Sequence, residues 1–332
     1  MDIEWYTLHP ADTLFFRGSE SLEMGMDHFA NTLFPPPSSV IYGSVRTTIL
    51  REKGIDPKVF AQGRAEQKLY DALGRPQQSL EEIPFTIYGP FFWGDDKLFI
   101  PAPLLWYGVE VEDRGTRKKI KLRYLKLIDK NIIRSPKPLR WQLKNSNEKI
   151  VSVNGKWVEV ETLRQASKEE EREIEIFSDS HFFIQEPRSG IALYTNRKVR
   201  TGHLYSLIHV RLIEPFSLCI GIEPNPGLSE EGVLFLGGEN RFVRYKKRNF
   251  TLQMNTPHHQ NSYYVAYTPI PAIGINDDSL IITDKLQYRG GWDLAKGFHK
   301  PIIPHFPAGS VFKSKVSKHC IPMGKQEDKN EK

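Results

Sequence analysis

The chain reads as an α+β protein rich in strands, and three observations carry that reading. Short segments of alternating apolar and polar residues recur along the sequence, separated by Gly, Pro, Asn and Asp, as strands and their turns require. Helical periodicity is read in two places, both in the first quarter of the chain. At 332 residues, 39% of them hydrophobic, the chain is long enough for about two domains with separate cores.

Charge narrows the function classes. Lys and Arg number 46 against 40 Asp and Glu, a formal net charge of +6. Clustered cations attract polyanions, so RNA, DNA or an anionic surface is favoured as partner, although solubility alone would account for the excess. Two cysteines, Cys219 and Cys320, show no metal or redox spacing, and their scarcity fits a reducing cytoplasm. No apolar run is long enough to cross a bilayer, and MDIEWYTLHP lacks the basic-then-apolar order of a signal peptide. A soluble, cytoplasmic protein with no membrane contact and no cofactor is expected.

Taken in order, Glu4 to Leu8 is an opening strand, and Thr13 to Arg17 resumes an extended path after His9-Pro10-Ala11-Asp12. Pro35 to Pro37 then lead into a helix from Ser38 to Leu50, with Ser38 or Ser39 as N-cap and Ile41, Val45 and Ile49 as its buried stripe. Gly54 suits its C′ position. A helix N-terminus attracts anions. Ser38, Ser39 and Arg46, one residue off the stripe, are therefore candidates beside a phosphate. The plain alternative is a capped core helix with a solvated arginine. Ala65 to Leu73 is a second helix, stopped by Gly74 and Pro76. Phe85 to Trp93 and Lys97 to Ile100 flank Gly94-Asp95-Asp96, a turn that also holds metals in polymerase palms. That chemistry needs a further carboxylate on a neighbouring strand, and none is evident, so an ordinary turn is preferred.

Arg114 to Lys126 is basic; as a strand it puts Lys119, Lys121 and Arg123 on one face, either a phosphate track or an edge guarded by lysines. Asn154-Gly155 predicts a hairpin over Ile150 to Val160. Residues 114–176 read as an insertion. The best boundary, near Ser178 to Ser180, divides the chain into 1–178 and 179–323, with a charged, disordered tail at 324–332.

In the second half, Arg188, Arg197, Lys198 and Arg200 gather on loops between strands, where binding groups tend to sit. Leu204 to Leu212 and Phe216 to Ile222 are strands, LFLGGENR is a strand with a glycine turn ending on Arg241, and Arg244 to Arg248 is a further basic run. Leu286 to Phe312 combines Gly290, Gly291 and Gly297 with Arg289, Lys296, His299 and Lys300, and interleaves Tyr288, Trp292 and Phe298. Glycines let backbone N–H groups approach a ligand, cations neutralise phosphate, and flat rings stack on bases. This is a plausible seat for single-stranded nucleic acid, although glycine loops are also simply tight turns.

Four stretches in this order, FPPPSSVIYGSVRT, EPRSGIALYTNRKVRTGHLY, LFLGGENR and GGWDLAKGFHKPIIPHFPAGSVF, resemble the RAMP-type third subunit of type III-B CRISPR (Cmr) effector complexes. The match runs from the first strand to Val311; residues 114–176 carry no shared motif. The resemblance implies two ferredoxin-like (RRM-like) domains with insertions. It matches the family's glycine-rich loop near the C-terminus to Gly290 through Gly297, and its proline-preceded first helix to Ser38 through Leu50. It implies a non-catalytic task, holding the 5′ repeat-derived tag of the crRNA. The expected partners are the large polymerase-like Cmr subunit and the backbone RAMP subunit of the filament, with target RNA met only indirectly.

Candidate RNA anchors are Arg17, Arg46, Arg188, Arg197, Lys198, Arg200, Arg241, Arg289, Lys296 and Lys300, with Trp292, Phe298 and Tyr205 as stackers. The rival readings are the type III-A counterpart, a protein-only scaffold, and a metal-independent endoribonuclease. The last would use His28, His203 or His299 as base, but nothing in sequence pairs any of them with a second acid or base. His258-His259 would point to opposite sides of a strand, against shared metal ligation.

Overall fold

The computed structural model describes residues 2–18, 29–76, 78–127, 140–142, 147–165, 172–252, 254, 262–293 and 298–324. It is a mixed α/β structure of mostly antiparallel strands with few helices. The chain opens with β1 (Glu4–Pro10) and β2 (Phe29–Ala30), then α1 (Ser38–Glu52), α2 (Pro57–Ala61) and α3 (Gln67–Leu73). Strands β3 (Thr86–Gly94), β4 (Lys97–Pro101), β5 (Trp106–Arg114), β6 (Arg117–Tyr124), β7 (Lys126–Leu127), β8 (Arg140–Trp141), β9 (Ile150–Ser152) and β10 (Trp157–Glu159) lead to α4 (Val160–Gln165). There follow β11 (Glu173–Phe177), β12 (Phe183–Leu193), β13 (Val199–Leu212), β14 (Ser217–Glu223), β15 (Glu231–Phe235), β16 (Phe242–Arg248), β17 (Ser262–Ala266) and β18 (Ile270–Pro271). The last are β19 (Leu280–Ile282), β20 (Gln287–Asp293), β21 (Phe298–Phe306), β22 (Val311–Phe312) and β23 (Cys320–Gly324).

Two compact units interleave along the chain, one from residues 1–95, 182–252 and 288–304, the other from 96–181, 253–287 and 305–332. The sequence suggests a division in series. The structure differs because β14 and β16 return from the second half of the chain to pair with β1 on either side.

In the first unit the strands run β15-β16-β1-β14-β3, every pair antiparallel. The expected stripe of α1 packs inward, with Ile41, Val45 and Ile49 fully buried. Trp5, Tyr6, Phe91 and Phe92 are buried as well, and burying such a side chain contributes about 1.5–3 kcal/mol. The helix is pinned by polar contacts: the Tyr42 hydroxyl accepts from Ile87 N–H at 2.8 Å, and Ser44 donates to the Phe235 carbonyl at 2.6 Å. Gly54 ends the helix as expected, at φ 70°, a conformation that costs a Cβ-bearing residue more. The N-cap differs from expectation. Pro37 occupies it without a side-chain bond, and Ser38, one residue in and buried, donates to the Gly89 carbonyl at 3.3 Å. A second sheet, β12-β13-β2, is built on the long antiparallel pairing of β12 with β13.

In the second unit the strands run β4-β10-β11-β6-β5-β9, and β19-β22-β17-β23 form another sheet. Residues read as an insertion thus supply β6, β9, β10 and β11, because Ile120, Leu122, Ile174 and Ile176 alternate into the core. The Asn154-Gly155 turn forms, with Gly155 at φ 64°, but no hairpin does: β9 pairs with β5, and β10 with β4 and β11. Turn chemistry fixes the reversal, whereas burial of Trp157 and Val158 selects the partners.

Candidate nucleic-acid interface

The structure sorts the candidate cations by whether an acid already holds them. The base of the β12–β13 hairpin is an ion-pair hub around Asp12, which follows β1. Arg188 reaches Asp12 at 3.2 Å and Glu186 at 2.7 Å. Arg211 reaches the same two carboxylates at 3.1 and 2.8 Å. Arg241 lies 2.8 Å from Asp12 and 3.3 Å from Glu239. Partial burial alone would raise the pKa of Asp12, but the Thr13 N–H and the arginines outweigh it and bring it from 3.8 to about 2.

Buried His209 closes this hub, with Nε2 3.3 Å from Glu239 and Nδ1 3.0 Å from Thr13 Oγ1. Desolvation holds His209 below the usual imidazole range. A carboxylate only accepts, so Nε2 carries the proton and Nδ1 accepts from the threonine hydroxyl. Arg188 and Arg241 are therefore structural partners of Asp12 in this fold. Asp12, Glu186, His209 and Arg211 escape sequence reasoning because their partners lie up to 229 residues away.

The outer half of the same hairpin is different. Arg197 (φ 62°), Lys198 and Arg200 are exposed at its tip, where Tyr194 N–H bonds the Lys198 carbonyl at 2.8 Å. Arg200 lies over the Tyr194 ring, 5.0 Å from its centroid, a cation–π contact. Among the described residues none of the three cations has an acidic partner within 4 Å. Ile191, Leu193, Tyr194 and Val199 are also exposed, so both sides of the tip stand in solvent. Farther in, the Tyr205 ring lies across Gly190, where a Cβ would come within 2.4 Å of it. That packing, with 40% of Tyr205 still exposed, leaves one ring face for stacking.

The glycine-rich stretch is extended strand on both sides rather than loop. Arg289, Gly290, Gly291 and Trp292 lie on β20, and Phe298, His299 and Lys300 on β21. Tyr288 and Phe298 are largely exposed, and the Lys300 methylenes pass Gly291. Desolvation holds the Arg289 guanidinium below the usual arginine range. Lys296 and Gly297 lie outside the described residues, as do the side chains of Trp292, His203 and His299, His28 and His258-His259, and the tail after 324.

The remaining candidates stand apart. Arg17 is exposed and bridges Thr32 through its backbone, and Ser39 is exposed on the first turn of α1. Arg46 turns away from that turn: its Nε donates to the Leu73 carbonyl at 2.7 Å, at the end of α3. Three cations of β6 are met by neighbouring strands, Lys119 by Glu173 at 2.5 Å, Lys118 by Asp113 at 2.5 Å, and Arg117 by Glu175. Asp95 and Asp96 sit in a left-handed turn at φ 52° and 56°. Among the described residues no group of three or more His, Cys, Asp or Glu is placed to hold a metal ion. No helix there is long and apolar enough to cross a membrane.

Solved structures share this architecture. A chain of the type III-B Cmr-beta complex bound to cognate target RNA and AMPPnP, determined by cryo-EM, matches with a TM-score of 0.54 at 16% identity, covering 93% of this chain and 86% of that one. A chain of Cmr-beta bound to cognate target RNA matches with a TM-score of 0.53 at 16% identity, covering 94% and 87%. At that identity the likeness is one of fold. No curated protein matches the sequence. The family model described as CRISPR-associated protein (Cas_Cmr3) matches residues 6–273, most of the chain. The chain thus belongs to the Cas_Cmr3 family and is a subunit of a type III CRISPR effector complex.

Proposed function

We propose that this subunit is a non-catalytic RNA holder, which seats the 5′ repeat-derived tag of the crRNA and docks on the large polymerase-like subunit and the adjoining backbone subunit. The observation that carries the reading is the β12–β13 tip, where Arg197, Lys198 and Arg200 stand exposed beside Tyr194 with, among the described residues, no acid within 4 Å, while the arginines at the hairpin base are neutralised. Cations left without acids are available to phosphates, and an exposed ring is available to a base. The strand order β16-β1-β14-β3, with α1 between β1 and β3, supports a ferredoxin-like first unit in which β15 stands where the second helix would be. The β20–β21 strands, with exposed Tyr288, Phe298 and Lys300, extend the same chemistry.

The test is photocrosslinking of tag nucleotides in the reconstituted complex, with Arg197, Lys198 and Arg200 all changed to Gln. Loss of tag crosslinks with the complex intact is expected. Unchanged crosslinking would refute the assignment. Incubating the purified chain with repeat RNA tests its non-catalytic nature, and cleavage abolished by a single His→Ala change would overturn it.

A further inference from the structure

We infer that the solvent face of β16 is a second track for single-stranded RNA, built from Arg244, Lys246 and Arg248. Side chains alternate along a strand, so these three share one face while Val243 and Tyr245 are buried on the other. The register sets Arg244 between His9 and Val233, Lys246 between Thr7 and Glu231, and Arg248 beside Trp5. All three are exposed, and among the described residues none has a carboxylate within 4 Å. Lys247, on the opposite face, is paired with Glu4 at 3.1 Å. Among the described residues the ladder is thus a row of three cations without an ion pair, whereas Arg117, Lys118 and Lys119 on β6 and Arg188 and Arg211 on β12 and β13 each have one.

The spacing suits a polynucleotide. Alternate strand residues are about 6.8 Å apart, comparable to successive phosphates of an extended single strand. The ladder is also held in place. Arg248 Nε donates to Thr7 Oγ1 at 3.1 Å, and His9 Nε2 lies 3.1 Å from that same oxygen. Farther along the sheet Phe250 stacks on Trp93 at 4.5 Å and on Trp5 at 5.3 Å, leaving Trp93 and Phe250 half-buried beside the row. Cations in a line with flat rings at one end are the elements by which single-stranded nucleic acids are gripped without sequence readout. The choice of RNA over another polyanion rests on the function proposed above; the charge ladder itself does not.

The experiment measures binding of the full-length chain to an unstructured oligouridylate across a salt series, by fluorescence anisotropy. The variants are Arg244→Gln with Lys246→Gln, and separately the tip variant with Arg197, Lys198 and Arg200 changed to Gln. Each phosphate left without its cation flattens the plot of log affinity against log salt by about 0.7, so the β16 variant is expected to flatten it by about 1.4 at an unchanged melting temperature. A wild-type slope in the β16 variant, with a flattened slope in the tip variant, overturns this inference and leaves the proposed function standing. Absence of salt-dependent binding by the wild type sinks both. If the β16 variant binds RNA normally but no longer assembles with its partner subunits, the face is a protein-docking surface and the inference is wrong.

Discussion

Replacing Asp12 with Asn should loosen the base of the β12–β13 hairpin, in an amount the ion-pair hub defines. Asp12 touches Arg188, Arg211 and Arg241, which arrive from β12, β13 and the turn before β16. Its pKa is depressed from 3.8 to about 2, a shift that would be worth about 2.4 kcal/mol at a site closed to solvent. With 42% of the Asp12 side chain exposed, solvent reduces that to about 1 kcal/mol. The sign follows from the depression: the stabilisation is present above the unfolded-state pKa and is lost as pH falls through the folded value. Urea unfolding should therefore show Asp12→Asn destabilised by about 1 kcal/mol near neutral pH, and by about half that near pH 3. Amide exchange should quicken at the hairpin base, around Val210 and His209. Equal stability of the two proteins at neutral pH, or a deficit that does not shrink on acidification, would refute the reasoning.

Two further outcomes follow from the same fold. Gly237 has φ 96°, and a Cβ there would meet the Phe15 carbonyl at 2.6 Å, so Gly237→Ala should cost about 1–3 kcal/mol and lower the unfolding midpoint. Arg46→Met removes the bond to the Leu73 carbonyl and should cost about 1–2 kcal/mol while leaving RNA affinity and its salt dependence unchanged. A flattened salt slope in that variant would restore Arg46 as a phosphate ligand.

Local physics made part of the molecule legible from residues alone. Periodicity places Ile41, Val45 and Ile49 on the buried stripe of α1, and the left-handed turn after it needs Gly54. Alternation puts Lys119, Lys121 and Arg123 opposite buried Ile120 and Leu122 on β6. These features depend on a few neighbouring residues and on the backbone's two soft torsions, so they travel with the sequence. Strand partnership does not. Asn154-Gly155 reverses the chain as its chemistry demands, yet β9 pairs with β5 while β10, with Trp157 and Val158 buried, pairs with β4 and β11.

The same distinction governs the cations. By sequence Arg188 and Arg197 look alike, and so do Lys119 and Lys246. Only the tertiary fold brings Asp12 across 176 residues to Arg188 and sets Glu173 beside Lys119, while leaving Arg197 and Lys246 facing water. The chain by itself determined that it is basic, rich in strands and suited to a polyanion. Which charges are spent inside the protein and which remain facing solvent was decided by the folded structure, because a Coulombic contact a few ångströms long depends on distance in space and not on distance along the chain.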